Sequence, residues 1–527
     1  MENNIQTEPI HFSKRQVIVF SASFLILYWL FGFDGITFSD DVYYLLAGRD
    51  FWNGLLEVND YHFSSRWGAY IPAGLITHFF GIKPHLASLV SLLYYLISYF
   101  LLVSLFRKNN ERLIFSLWFI TPIYFLHFIT KVYPDTLLVL CISAIFWSAV
   151  NRAGKPEISG FLMSLAFIIG ILTKETIILL GLFPIVLFLM DLRLKQFNSK
   201  FYFTLLITGA FLLSLYLGYY WIKFDDPFFR IQSVNAGHYI SEFTYADKGW
   251  KKILERITYL PILTLVERAY WPWIVFSVPA IAIGLKTRQK GNVEFGLGIL
   301  CLLIGFWFMS STLELYNPIY LNPRHLIIII PPLAFLVSMG WTSWRGSVSW
   351  KKILTGLIIL GAIISLFQKD WKMSFFQIGF LAPIWISNPR LNLSFFAILL
   401  ISPTLYSIYY QKQLKTYPDL VHTLNVETQD SKNQQIIITN NFLVFSKEVL
   451  LPGKNSAQDL LIPIEKVDSL NIDSPSQIRV LIYKYYLHAY PQEGEDIEKL
   501  ESWLKVNYRK VNENQEGQVW LRFFEKK

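Results

Sequence analysis

The chain has 527 residues, of which 53% are hydrophobic, 17% aromatic and only 16% charged, and its mean hydropathy is +0.38. That composition excludes a water-soluble body, because soluble domains lie nearer average usage. The formal net charge of +9 does not imply nucleic acid, since Lys and Arg gather at the cytoplasmic ends of membrane spans.

Apolar runs of roughly 17 to 25 residues, each long enough to cross about 30 Å of hydrocarbon, recur along most of the chain. They predict membrane helices at about 16–33, 85–106, 112–130, 136–151, 157–173, 176–191, 201–222, 262–285, 293–312, 325–344, 352–367, 373–388 and 392–410, about thirteen in all. The first run continues without a small-residue cleavage site and reads as a span, not as a removed signal peptide. Lys14 and Arg15 place the N-terminus in the cytoplasm. Loops 107–112, 151–155, 193–200 and 286–290, each carrying Lys or Arg, then fall on that same side. An odd number of crossings sends the chain beyond Tyr410 to the non-cytoplasmic face. Cys141 and Cys301 lie inside apolar runs, which excludes a disulfide framework and a thiolate metal site.

Two non-cytoplasmic loops, 34–84 and 224–260, are longer than the rest, and function is expected there. The first holds two amphipathic stretches, 42–55 and 67–80, that read as helices lying at the membrane interface. The second carries Arg230, Lys248, Lys251, Lys252 and Arg256, with Arg268 close to the next span. Basic residues on this face run against the usual charge bias, and either an anionic ligand or a solvated basic surface accounts for them. His238 and Glu314 also fall on the outer face. After residue 410 the chain turns polar, with strands expected at 435–439, 479–485 and 519–524 and a helix at 496–508. The expected organisation is therefore a membrane domain, 1–410, followed by a small soluble α/β domain, 411–527.

Several residues in the outer segments are able to carry chemistry. Asp40 and Asp41 are adjacent carboxylates opening an amphipathic helix, suited to a general base, a cation site or a helix cap, with Ser39 or Asp40 as the capping residue. Tyr44 follows on that helix, and His62 and Arg66 lie further along the loop. Lys174 and Arg324 sit at outer ends of spans, where a basic side chain either snorkels to the interface or meets an anion. Asp135 follows Pro134 in a short outer turn and either shapes that turn or faces the same cavity. Glu267 and Arg268 begin an apolar run, where isolated charges mark a site or pair with each other.

The order of these features resembles the GT-C superfamily of membrane glycosyltransferases. The features are an acidic pair after the first span, an Arg-containing stretch leading into a Pro- and Gly-bearing segment ending Phe79-Phe80-Gly81, Thr173-Lys174-Glu175, and Asn322-Pro323-Arg324-His325 opening a Pro-Pro span. The nearest resemblance is to bacterial family 39, related to protein O-mannosyltransferases and to the aminoarabinose transferase of lipid A. It covers roughly residues 17–410 and rests on joint order, since each motif alone is short. Two departures stand out. Relatives carry Asp-Glu where this chain has Asp40-Asp41, and the Trp-Trp-Asp signature of oligosaccharyltransferases is not found.

The resemblance implies transfer of a monosaccharide from a polyprenyl-phosphate carrier to a lipid, glycan or protein acceptor at the non-cytoplasmic face, with inversion. Asp40 would then be the general base, and Asp41 its neighbour, orienting the acceptor or helping to hold a divalent cation that the chemistry permits without requiring any cofactor. Arg66, Lys174, Arg268 and Arg324 would hold the lipid phosphate, and Tyr44, His62 and Asp135 would line the acceptor cavity. A transporter or flippase of lipid-linked sugars is the rival reading. It calls for inverted repeats, broken helices and polar residues at mid-membrane, none of which is evident in the sequence. A glycan-polymerising ligase would use similar outer loops. With neither a cleavable signal nor a retrieval tail, the expected location is a bacterial inner membrane.

Overall fold

Proline fixes where many of the helices begin. Pro84, Pro134, Pro156 and Pro323 each occupy the first turn of a helix, where the missing N–H costs nothing and the restricted φ is already helical. The computed structural model describes residues 12–237, 244–245, 247–313, 315–429, 435–466 and 475–527. His238 and Glu314 lie outside the described residues.

Among the described residues, nine helices are long and apolar enough to cross a membrane, or up to eleven when each of two bent pairs counts as one span. The protein is an integral membrane protein, and the sequence expectation of about thirteen spans includes runs that are bent or short here. The physical reason is that apolar length alone does not report continuity. The runs expected at 112–130 and 262–285 are interrupted, the first bent by 66° between Asn109–Ile120 and Ile123–Thr130, the second by 110° between Leu260–Glu267 and Trp271–Thr287. The run near 293–312 is the shorter helix Asn292–Phe308, and that near 373–388 is two short helices, Trp371–Gly379 and Leu381–Trp385. Pro122 lies in the first break, and Ala269 takes a left-handed φ of 60° in the second. Broken helices are therefore present where none was evident in the sequence.

The contacts divide the chain into two units along lines other than a cut at residue 410. The first unit comprises 1–30, 57–69 and 90–404. Its helices Pro134–Asn151 and Ser199–Phe224 both pack on Pro156–Thr173, and Trp271–Thr287 packs on Ile330–Arg345. An aromatic core of Trp118, Trp273, Phe276, Trp344 and Phe396 holds them, with the Trp273 indole donating to the Trp118 carbonyl at 2.8 Å. A buried charge cluster adds two further helices, Phe183–Arg193 and Asn292–Phe308: Arg152 is bonded to both oxygens of Asp191 and to Glu294, and Tyr202 also donates to Asp191. With its donors satisfied by carboxylates, this Arg fixes register without leaving an unpaired charge.

The second unit comprises 31–56, 70–89 and 405–527. It contains the helix Asp40–Trp52, most of the helix Trp67–Phe80 and a five-stranded sheet. The strands are β1 Ile437–Thr439, β2 Leu461–Pro463, β3 Gln477–Tyr483, β4 Tyr508–Glu516 and β5 Val519–Lys526, in the order β2-β1-β3-β5-β4. β1 runs parallel to β2 and β3, whereas β3 and β4 run antiparallel to β5. Alternate residues of β3, Ile478, Val480 and Ile482, meet Leu500 and Leu504 of the helix Gln492–Asn507 in one apolar core, as the period of two along a strand allows. Strands β1, β3 and β5 and the closing helix match the sequence expectation. β2 and β4 do not announce themselves: β2 has three residues and β4 is almost wholly exposed.

Candidate active site

Two glycines bring distant segments together at Lys174. The helix Pro156–Thr173 stops there because Lys174 is extended, and the chain continues as the tight turn Glu175–Leu180. A Cβ on Gly170 would lie 2.5 Å from Ile177, and one on Gly68 would lie 2.0 Å from the Thr173 hydroxyl. Only glycine allows these approaches. As a result Arg66, just before Gly68, arrives beside Lys174 and Glu175.

Lys174 Nζ donates to both carboxylate oxygens of Asp135, at 2.8 and 3.1 Å. Asp135 sits in the first turn of Pro134–Asn151, so it shapes the turn and joins the cluster as well. Arg324 Nε lies 3.8 Å from Asp135, and its guanidinium stands 4.9 Å from the centre of the Tyr133 ring. Glu175 is gripped from two sides, by Arg66 and Arg230, each at 2.8 Å. Arg230 also donates to the Ser65 carbonyl at 3.3 Å. Among the described residues, four cations here share two carboxylates. Guanidinium and ammonium donors gathered in one place suit phosphate oxygens.

Arg268 lies at the 110° break. It forms the ion pair with Glu267 at 3.0 Å and donates to the Tyr124 hydroxyl at 3.2 Å. Both broken helices border one small pocket lined by Pro122, Tyr124, Arg268, Tyr270, Trp273 and Pro403. Tyr270 donates through its hydroxyl to the Pro323 carbonyl at 2.8 Å, which ties this cavity to the turn bearing Arg324. The basic loop resolves unevenly. Arg256 is fully buried and donates to the carbonyls of Phe306, Trp307 and Ile319, whereas Lys251 and Lys252 are exposed.

The acidic pair belongs to the second unit. The buried Asp41 carboxylate accepts from the Thr37 N–H at 2.7 Å, the Thr37 hydroxyl at 2.7 Å, the Val42 N–H at 3.0 Å and the Ser39 N–H at 3.3 Å. Three of these bonds fall on Oδ1 and one on Oδ2. Among the described residues no group of three or more His, Cys, Asp or Glu is arranged to hold a metal ion. Ser39 occupies the cap position without a side-chain capping bond. Asp40 begins the helix Asp40–Trp52 and is partly exposed. Tyr44 is fully buried with its ring 5.8 Å from Tyr43. His62, in the first unit, is also buried, its ring 4.3 Å from Phe63.

Sequence reasoning quoted Glu175 without a role and noted Arg230 only as misplaced charge. The two belong together, and charge on the unexpected face was the one available signal. Tyr133 and Tyr270 gave none, being two aromatic residues in a chain with 29 tyrosines.

No family model matches the sequence, and no curated protein matches it. Among solved structures, ArnT from Cupriavidus metallidurans bound to undecaprenyl phosphate is similar at 14% identity and a TM-score of 0.58, over 97% of this chain and 98% of that one. The apo state of the same ArnT is similar at 13% identity and a TM-score of 0.58, over 96% and 97%. Identity at this level speaks to fold. The fold expected from the order of the sequence motifs is the fold found: this chain shares the fold of that ArnT over nearly its whole length.

Proposed function

We propose that the protein is a glycosyltransferase that moves a monosaccharide from a polyprenyl-phosphate carrier to an acceptor hydroxyl at the non-cytoplasmic face of a bacterial inner membrane. The observation that carries this reading is the cluster that gathers Lys174, Arg324, Arg66 and Arg230 around Asp135 and Glu175. The similar ArnT structure holds undecaprenyl phosphate, a lipid phosphate of the kind such a cluster suits.

In the proposed reaction the acceptor oxygen attacks the anomeric carbon as the bond from that carbon to the phosphate oxygen breaks, inverting the centre. Asp40 takes the acceptor proton. Lys174, Arg324 and Arg268 stabilise the charge growing on the departing polyprenyl phosphate. Arg66 and Arg230 hold Glu175 and so set the turn that carries Lys174. Asp41 keeps the Asp40 loop closed. No step is drawn through a cation.

The test is sugar transfer by purified protein from a panel of polyprenyl-phosphate monosaccharides, compared with Asp40→Asn at matched folding. Transfer that collapses in the variant supports the enzyme and its base. The two broken helices favour one alternative, transport of lipid-linked sugar. No turnover of any donor, with labelled lipid-linked sugar instead crossing proteoliposomes, would establish that alternative.

A further inference from the structure

The segment between the first span and the helix Asp40–Trp52 is held by residues that lie more than 350 positions away in sequence and in the same unit. Lys415 Nζ lies 2.7 Å from Asp34, with both side chains buried. The Tyr486 hydroxyl donates to the Ile36 carbonyl at 3.0 Å, and the Tyr490 hydroxyl donates to the Phe38 carbonyl at 2.7 Å. Between them Phe38 adopts a left-handed backbone, φ 57°, which is costly for a bulky side chain and persists only where the surroundings over-determine it. Its buried ring sits 5.0 Å from Tyr486, 5.4 Å from Phe442 and 5.7 Å from Tyr483. Burial holds the Tyr486 and Tyr490 phenols above their ordinary value, and neighbouring carboxylates, Asp41 among them, push the same way. Both therefore remain protonated donors across the working pH range.

We propose that the C-terminal α/β domain is a positioning element of the transfer reaction: Tyr486 and Tyr490 grip the carbonyls of Ile36 and Phe38, hold the strained turn, and so fix the direction in which Asp40 is presented. The inference rests on the reading of Asp40 as general base. A hydrogen bond to the backbone two and four residues before a catalytic acid controls its orientation more directly than its presence. The cost of losing the grip therefore falls on kcat.

The experiment uses the full chain with Tyr486→Phe and Tyr490→Phe, singly and together. These substitutions keep both rings and remove only the two donors. Three readouts are taken: kcat and KM for the lipid-linked donor, amide hydrogen exchange of residues 36–42, and the same double substitution in an Asp40→Asn background. The expected result is faster exchange at 36–42, kcat lowered about tenfold with KM for the donor unchanged, and no further loss of the residual rate once Asp40 is gone. Unchanged exchange or unchanged kcat in the double variant overturns the proposal. So does an equal loss in the Asp40→Asn background, which would mark a general structural effect. Should Asp40→Asn alone retain full transfer, the base reading itself fails, and that result is distinct from all of these. If the double variant misfolds, Tyr490→Phe alone, which frees only the Phe38 carbonyl, decides the matter by the same criteria.

Discussion

Lys174 has two possible uses, as partner to Asp135 and as a ligand for phosphate, and a charge-pair deletion separates them. Both side chains are almost fully buried, 7% and 1% exposed, and the ammonium lies 2.8 Å from the carboxylate. Lys174→Met therefore strands a buried carboxylate, a loss of about 3 to 5 kcal/mol, held toward the lower end because Arg324 remains 3.8 Å away. Adding Asp135→Asn removes the orphaned charge, and the double variant recovers most of the lost stability. Recovery is read as the melting midpoint in detergent by tryptophan fluorescence, since a chain with two units need not unfold in one step. Donor binding behaves differently. A charge-assisted hydrogen bond to phosphate contributes about 1.5 to 3 kcal/mol, so the Kd for undecaprenyl phosphate rises roughly 10- to 150-fold in the double variant despite its recovered melting point. Binding within about twofold of the native protein would refute the reasoning, leaving Lys174 as a structural partner only.

Further outcomes follow from the same geometry. Asp40→Asn leaves the melting midpoint in place and lowers kcat by about 10² to 10⁴, whereas Asp41→Ala removes an acceptor for four hydrogen bonds and accelerates amide exchange at 37–42 by hydrogen-exchange mass spectrometry. Gly68→Ala places a Cβ 2.0 Å from the Thr173 hydroxyl. It costs about 1 to 3 kcal/mol, visible as a lower melting midpoint that Thr173→Ala relieves only in part, because Leu137 stays 3.2 Å from the new Cβ. Arg152→Met uncovers two buried carboxylates and lowers thermal stability by several kcal/mol, while the Kd for undecaprenyl phosphate in the surviving folded fraction stays at the native value.

The sequence by itself determined the solvent and the elements. Runs long enough to cross hydrocarbon have few other uses, so the spans at Lys14–Gly32, Ser199–Phe224 and Val348–Phe367 were legible from apolar length. The two helices of the first outer loop, Asp40–Trp52 and Trp67–Phe80, and strands β1, β3 and β5 were legible from the local residue pattern, which reports the face a residue turns to its surroundings. Periodicity says nothing of partners. Asp135 meets Lys174 from 39 residues away and Arg66 meets Glu175 from 109, pairings that depend on which helices pack and on glycines that let them approach. Helix breaks were hidden for a related reason. An apolar run has the same composition whether it is straight or bent, and only neighbouring helices that accept the freed backbone groups decide between the two. Only tertiary structure could place the acidic turn in one unit with the C-terminal sheet, because the hydroxyls and rings that hold its strained backbone are contributed by chain some 450 residues downstream.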